Sequence, residues 1–368
     1  MSIKAFKFNR MKKAKYNVIG LMSGTSCDGI DLAYCELTVT ENNRWGYSII
    51  KAQTMPYNSI WHSRLSAAVT LDKTAVQDLD LAYTSLLNRT ILDFIHEFKI
   101  SELDLICSHG HTVWHKPQKG ITWQIGNLQS IAQGLPCPVV CDFRTQDVAL
   151  KGQGAPLVPI GDQLLFHEFD ACINLGGFAN ISYQHWEGPT IAYDLCPFNI
   201  VLNYWAKKLG FDFDENGNYA RLGSIQPDLL KQLNALEYYH LPPPKSLGAE
   251  WVQSNFYPLY EQFNLKPQDW LATAAHHMVH QIQKSTTKFD RVLLTGGGAF
   301  NGFILERLNE AAPLKFFVPN RDLINYKEAL IFGLLGVLRY REEVNCLASV
   351  TGAVRDHSSG VIWNPVGP

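Results

Sequence analysis

Residues 17–31 read Asn17-Val18-Ile19-Gly20-Leu21-Met22-Ser23-Gly24-Thr25-Ser26-Cys27-Asp28-Gly29-Ile30-Asp31, and this stretch decides the fold. An apolar run stops on small residues, hydroxyls and carboxylates, and a second strand-like run, Asp31 to Val39, begins at once. A third, Gly46 to Met55, follows after another turn-rich link at 40–44. Short links between strand-like runs predict an antiparallel meander. Within the first turn, Gly24 and Gly29 let the main chain approach a ligand, and Thr25 and Ser26 offer hydroxyl donors to phosphate oxygens. Asp28 suits a hydrated Mg²⁺, and Asp31 supplies a second carboxylate. The same residues also build an ordinary hairpin turn, and spacing alone does not separate the two readings.

Outward from this meander, strands and helices alternate. A helix is predicted from about Thr74 to Phe98 on the apolar stripe Leu79, Leu86, Leu87, Ile91, Phe94 and Ile95, then strands at Leu103 to Ser108 and Pro138 to Phe143. Lys151-Gly152-Gln153-Gly154-Ala155-Pro156 is the strongest breaker cluster of the mid-chain, which places a domain junction near it and divides the chain into 16–145 and 146–368. The second half opens as the first does: strand Ala171 to Asn174, turn Gly176-Gly177, returning strand Asn180 to Tyr183, then Thr190 to Tyr193 running into Asp194 and a helix. Later, a helix at His276 to Ser285 precedes a strand, Arg291 to Thr295, that enters Gly296-Gly297-Gly298, and helices follow at Asn301 to Leu308 and Glu328 to Arg341. The two halves look like variants of one plan.

Length and composition bound the function. At roughly 150 residues per domain, 368 residues suggest two domains. With 46% hydrophobic and 18% charged residues the chain is globular, and a net charge of −2 gives no long-range field for a polyanion, so nucleic acid is not an expected partner. A basic tail (Lys4, Lys7, Arg10, Lys12, Lys13, Lys15) has no apolar segment of the kind a leader needs, and no run of about 18 apolar residues is long enough for a membrane span. Eight scattered cysteines without a C-x-x-C pair fit reduced, buried thiols in a cytoplasm.

The turns at Asn174-Leu175-Gly176-Gly177-Phe178-Ala179-Asn180 and Thr295-Gly296-Gly297-Gly298-Ala299-Phe300-Asn301 repeat the first one's chemistry. A glycine turn that feeds a helix start favours anions through its free N–H groups and the helix dipole. No Walker P-loop and no G-x-G-x-x-G dinucleotide fingerprint accompanies them. A strand-turn-strand phosphate hairpin in each half, with a later triple glycine, resembles the actin, sugar-kinase and heat-shock ATPase superfamily. More closely, the ordered segments SGTSCDGID (23–31), SHGHTVWH (108–115), DFRTQDVALKGQGAPLVP (142–159), NLGGFANIS (174–182), YDLCPFN (193–199), PPPKSLG (242–248), TGGGAFNGFILERL (295–308), EALIFGLLG (328–336) and TGA (351–353) resemble the anhydro-N-acetylmuramic acid kinase family. The resemblance runs from about Gly20 to Ala353. It implies an α/β fold of two actin-like (ribonuclease H-like) domains with mixed sheets and an interdomain cleft. The implied reaction hydrolyses the 1,6-anhydro bridge of an amino sugar while passing the γ-phosphoryl of ATP, with Mg²⁺, to O6. It further implies Asp194 as general base, Gly24 to Gly29, Asp31, Gly176 and Gly177 around the phosphates, and Gly296, Gly297, Gly298 and Asn301 beside adenosine. His111, Arg144, Asp147, Gly154 and Glu328 are implied sugar contacts, and the family suggests a homodimer.

Each assignment has a competing reading. Asp194 at a strand end can take a proton from attacking water, or cap the helix that begins near Pro197. Arg144 can clamp a lactyl carboxylate and Asp147 bind sugar hydroxyls, or the two can form a structural ion pair. Glu328 can orient water, or be an acid in a helix's first turn. The chain also departs from the family pattern. Leu195-Cys196-Pro197-Phe198-Asn199 stands where the family has Thr-Gly-Pro-Gly-Asn, Asn203 replaces a usual aspartate, His111 a usual glutamine and Lys151 a usual glycine. A bulky Phe198 is expected to occlude close backbone approach to the ligand, which opens two alternatives: a kinase of the same fold for a different sugar, or a binding protein without catalysis. The sets His109, His111, His115 and His276, His280 have zinc-compatible spacing, but His277 stands where a zincin needs its glutamate, and polar packing or sugar contact is the expected role.

Overall fold

A computed structural model describes residues 12–24, 27–185 and 188–367. Thr25 and Ser26 of the first glycine turn, and Lys4, Lys7 and Arg10 of the basic tail, lie outside the described residues. The chain forms two compact units. One holds the described residues up to Leu165 together with those from Tyr326 onward, and the other is Phe166–Asn325. The division at 145/146 is therefore corrected twice: the break follows Leu165, and the C-terminal stretch returns to the first unit. The breaker cluster is a loop folded onto that unit, with the Gly154 N–H donating to Asp147 and the Gln153 N–H to the Thr351 carbonyl.

The strands in chain order are β1 (Lys15–Met22), β2 (Gly29–Val39), β3 (Trp45–Pro56), β4 (Leu105–Ser108), β5 (His111–Lys116), β6 (Ile121–Ile125) and β7 (Val139–Cys141) in the first unit. The second unit contributes β8 (Ala171–Leu175), β9 (Phe178–Gln184), β10 (Thr190–Pro197), β11 (Val292–Thr295) and β12 (Phe316–Phe317), and the first resumes with β13 (Val361–Trp363). The first sheet has the order β13-β7-β4-β1-β2-β3. Its meander β1-β2-β3 is antiparallel as expected, and β4 joins β1 in parallel. Val18, Ile19 and Leu21 of β1 are buried, which is why that strand reads as a continuous apolar run.

Two helices cover this sheet's core. Lys73–Glu97 starts at Asp72, whose carboxylate accepts the Ala75 N–H, and buries Val76, Leu79, Tyr83, Leu87, Ile91 and Phe94 at helical spacing. Arg321–Tyr340 packs against β1 and β4 through glycine. A Cβ on Gly20 would collide with the Ala329 carbonyl, and one on Gly336 with the Cys107 thiol. Glycine in a helix interior costs about 0.5–1 kcal/mol, which the close helix–sheet approach offsets.

The second unit has the sheet order β10-β9-β8-β11-β12, with β8-β9-β10 antiparallel and β8-β11-β12 parallel. Both of these larger sheets are therefore mixed, β5 and β6 form a separate antiparallel pair, and the α/β class expected of actin-like domains is what is found. Trp270 on the helix Pro267–Ser285 stacks on Trp205 (centroids 5.1 Å apart) in the core of this unit. No helix among the described residues is long and apolar enough to cross a membrane.

Candidate active site

Asp194 owes its position to an irregularity. The β9–β10 register shifts between Asp194 and Cys196, so the chain bulges at this point. The Asp194 N–H donates to the Lys245 carbonyl (3.1 Å), its carbonyl accepts from the Tyr238 hydroxyl (2.7 Å), and Oδ2 accepts the Leu247 N–H (2.8 Å). Burial raises the carboxyl pKa against that last hydrogen bond. A half-buried carboxylate held at one oxygen, with its basicity raised, has what a general base needs. The capping alternative fails. The helix Asn199–Lys208 has no side-chain cap, and the Asp194 carboxylate turns to Leu247.

The second glycine turn is tied to that helix. The N–H groups of Phe198 and Asn199 donate to the carbonyls of Gly177 and Gly176 (2.9 and 3.1 Å), and the Ile200 N–H also reaches Gly177. The Phe198 side chain is fully buried in the core, and a Cβ on Gly298 would strike its ring. The expected occlusion is thereby corrected: Phe198 fills space under the triple-glycine turn. That turn requires glycine at Gly296, where φ is +79° and a Cβ would approach Asn174 and Leu175. Above it the backbone is open. A Cβ on Gly297 meets nothing nearer than Asn199 Nδ2 at 3.9 Å, and one on Gly177 meets nothing within 4 Å. Two open glycine faces are what a phosphate chain needs for close approach, so the residues present fit a nucleotide. Asn301 caps the helix Gly302–Ala311 by accepting the Ile304 N–H (3.2 Å).

In the first unit, Ser23 of the β1–β2 turn bonds His111 Nδ1 (3.0 Å) and the Tyr57 hydroxyl (2.8 Å), which continues to Tyr83 (2.6 Å). His111 is buried, which pushes its pKa down to about 4 and keeps it neutral at ordinary pH. Asp28 is exposed at the turn, and Asp31 on β2 accepts the Thr54 hydroxyl (2.6 Å) while burial raises its pKa.

Arg144 is held by a histidine whose tautomer the bonding dictates. His109 Nδ1 faces the Gly110 carbonyl (3.0 Å), which only accepts, so the proton sits on Nδ1. Nε2 is then the acceptor for the Arg144 guanidinium (2.9 Å) and for the Gln124 amide (2.9 Å). Burial pushes His109 well below its ordinary pKa, and the Arg144 charge adds to this. Burial also lowers Arg144, and Glu328 draws it back up. Glu328 is raised by burial and opposed by Lys327 and Arg144. It lies well inside the helix Arg321–Tyr340, so the first-turn reading does not hold.

Asp147 lies deeper in the same unit. It is 0% exposed, Oδ2 accepts the Gly154 N–H (2.7 Å), and Oδ1 accepts the Thr351 hydroxyl (2.7 Å). Its carboxylate organises the 147–154 loop, and His357 Nε2 lies 3.5 Å from Oδ1. The Arg144–Asp147 ion pair is not formed among the described residues, since Arg144 turns to His109. Sequence reasoning missed His357 and Cys346, which stand beside Asp147 with ligating atoms within 4.8 Å of one another. They are cross-strand partners, a relation that only the fold creates. The histidine sets singled out for zinc do not form such a group among the described residues. His277 bonds Asn234 (2.7 Å) and Tyr239 (2.9 Å), a packing role.

The structure thus brings Ser23, Asp31, His109, His111, Arg144 and Glu328 into one unit, and Asp194 and the turns at 176–177 and 296–298 into the other. A family model described as anhydro-N-acetylmuramic acid kinase matches residues 16–365. A protein of that name from Pasteurella multocida is 34% identical over 96% of this chain and 98% of its own length. Those from Aliivibrio fischeri (33%, covering 94% and 98%) and Gloeobacter violaceus (35%, covering 92% and 96%) agree. With a family match over nearly its whole length and relatives aligned end to end, the chain belongs to the anhydro-N-acetylmuramic acid kinase family.

Proposed function

We propose that the chain is an ATP-dependent kinase that opens the 1,6-anhydro ring of anhydro-N-acetylmuramic acid with water and phosphorylates O6, giving N-acetylmuramic acid 6-phosphate. The observation that carries this is Asp194: a half-buried carboxylate, raised in pKa, with one oxygen held by the Leu247 N–H. Its other oxygen takes the proton of the water that attacks C1. The C1–O6 bond breaks as C1–O forms, and O6 leaves as the nucleophile for phosphorus. ATP supplies the phosphoryl group: as O6 bonds the γ-phosphorus, the bond from that phosphorus to the bridging oxygen breaks and ADP leaves. Gly24, Gly29, Asp31, Gly176 and Gly177 line the phosphates, Gly296, Gly297, Gly298 and Asn301 flank adenosine, and Asp28 would hold Mg²⁺, which would screen the phosphate charge.

On the sugar side, Arg144 takes the lactyl carboxylate, held in orientation by neutral His109. His111, Gly154 and Glu328 complete the contacts, and Asp147 acts by fixing Gly154. Burial of Phe198 in the core supports catalysis over the reading as a binding protein, because the ring leaves the glycine turns open. The buried cysteines, none of them in a disulfide, support a cytoplasmic setting, and the family resemblance a homodimer, which sedimentation would check.

The test is coupled ADP release with 1,6-anhydro-N-acetylmuramic acid, with the product mass checked for added phosphate and added water. Turnover with both additions, lost in Asp194→Asn, is the expected result. ATP binding without such a product would overturn the assignment and direct the search to other sugars.

A further inference from the structure

The second unit contains a cationic cavity that the reaction above does not use. It has a volume of about 280 Å³, and Lys245, Lys284 and Lys288 reach it beside Tyr183, Tyr193 and Ser285. No acidic side chain lines it, and none of the ion pairs found among the described residues includes these lysines. Two of the ammonium groups are placed by aromatic faces. Lys245 Nζ lies 4.6 Å over the Tyr238 ring while donating to the Tyr238 carbonyl (3.0 Å), and Lys288 Nζ lies 4.2 Å over Tyr183. Burial lowers the pKa of Lys245, and the neighbouring charge of Lys284 lowers it further. Positive charge collected without a counter-charge is relieved by an anion, best by one carrying nearly two charges.

Size and place narrow the ligand. The volume falls near the lower end, about 300 Å³, of small-molecule pockets, which suits a phosphorylated monosaccharide better than a nucleotide. Tyrosine rings and hydroxyls present both the flat apolar face and the hydrogen-bonding groups that a sugar meets. The cavity is also separate from the triple-glycine turn: Ser285 and Lys288 precede β11, whereas Gly296 follows it, so the two lie at opposite ends of that strand.

One wall of the cavity is the segment Leu241, Pro243 and Lys245. The same segment holds Asp194, because the Lys245 carbonyl accepts its N–H and the Leu247 N–H donates to Oδ2. We propose that this cavity binds a phosphate monoester of monosaccharide size and that its occupancy is felt at Asp194 through residues 245–247. The second part rests on the reading of Asp194 as the base; the binding itself does not.

Calorimetric titration of the full chain with glucose 6-phosphate, with glucose and inorganic phosphate as comparison probes, tests the site. Glucose 6-phosphate is expected to bind saturably and glucose not at all. Inorganic phosphate is expected to bind more weakly than the sugar phosphate; equal binding overturns the assignment of size. In Lys284→Gln/Lys288→Gln, two exposed positions, affinity should fall at least about tenfold, since each ammonium makes a charge-assisted bond. No saturable binding, or unchanged affinity in the double variant, overturns the site. For the coupling, glucose 6-phosphate should change kcat of ADP release in the wild type but not in the double variant, whose basal rate stays intact. An equal response in both places the effect elsewhere and overturns the coupling. Because titration needs no turnover, a chain that fails to phosphorylate the anhydro sugar still gives a decisive answer on binding.

Discussion

Asp147 and Asp194 are both buried-side carboxylates next to glycine-rich turns, yet their surroundings ask opposite things of them. Asp147 has no exposed surface and gives both oxygens to the protein, one to the Gly154 N–H and the other to the Thr351 hydroxyl. Asp194 gives one oxygen to the Leu247 N–H, and its pKa is raised because burial outweighs that bond. A buried carboxylate whose two oxygens are both met by donors is a structural anchor. One that is incompletely met is held ready for a proton, at a cost in stability. Position beside a glycine-rich turn does not distinguish these two environments; the count of donors does.

The largest effect that would break this contrast lies at Asp194. Asp194→Asn should lower kcat/KM at least ~10²-fold, as for a lost general base, while leaving the thermal midpoint unchanged or slightly raised. The sign follows from the raised pKa: between the unfolded and folded values the native state binds more protons, so ionisation of Asp194 lowers stability as pH rises through that window. The acid limb of kcat/KM should accordingly fall above the ordinary aspartate value of about 4. A limb at or below that value would contradict the raised pKa.

Asp147→Asn should do the reverse, lowering stability by about 2–3 kcal/mol in urea titrations because the amide leaves the Gly154 N–H and Thr351 hydroxyl poorly matched. Loss of turnover without loss of stability would return Asp147 to the sugar-binding role. A smaller, pH-dependent effect is expected at His111. With its folded pKa at about 4 against about 6.5 unfolded, it contributes stability that is present above pH ~6.5 and lost as pH falls toward 4. His111→Gln should therefore lessen the drop in urea midpoint between pH 7 and 5 by an amount equivalent to roughly 2 kcal/mol. The smallest effect is expected at the surface, where Arg221→Ala, which removes the exposed pair with Glu306, should leave both midpoint and turnover unmoved.

Much of this contrast was legible in part. The β1–β2 turn and Asp194 stand at junctions between apolar runs and breakers, a local signal that periodicity detects. Asp147 looked the same, but its partner Thr351 lies 204 residues away, and no local pattern reports that bond. Phe198 misled for a similar reason: which way its ring points is decided by the space under Gly298, a hundred or so residues later. The breaker cluster at 151–156 has the composition of a boundary because glycine and proline mark an end to regular structure. They do not say onto which unit the loop folds. The role of the 245–247 segment was equally hidden, since it acts on Asp194 through main-chain atoms that carry no side-chain signature.

All eight cysteines are buried thiols outside any disulfide, and burial pushes those of Cys35, Cys107, Cys137, Cys141, Cys196 and Cys346 upward. Maleimides react with accessible thiolate, of which such a chain presents little. A single cysteine introduced at Leu222, which is 77% exposed, would then carry a fluorophore without first stripping the native ones from the core. The folded chain is in this sense already a clean background for site-specific labelling, and its core need not be redesigned to follow it in solution.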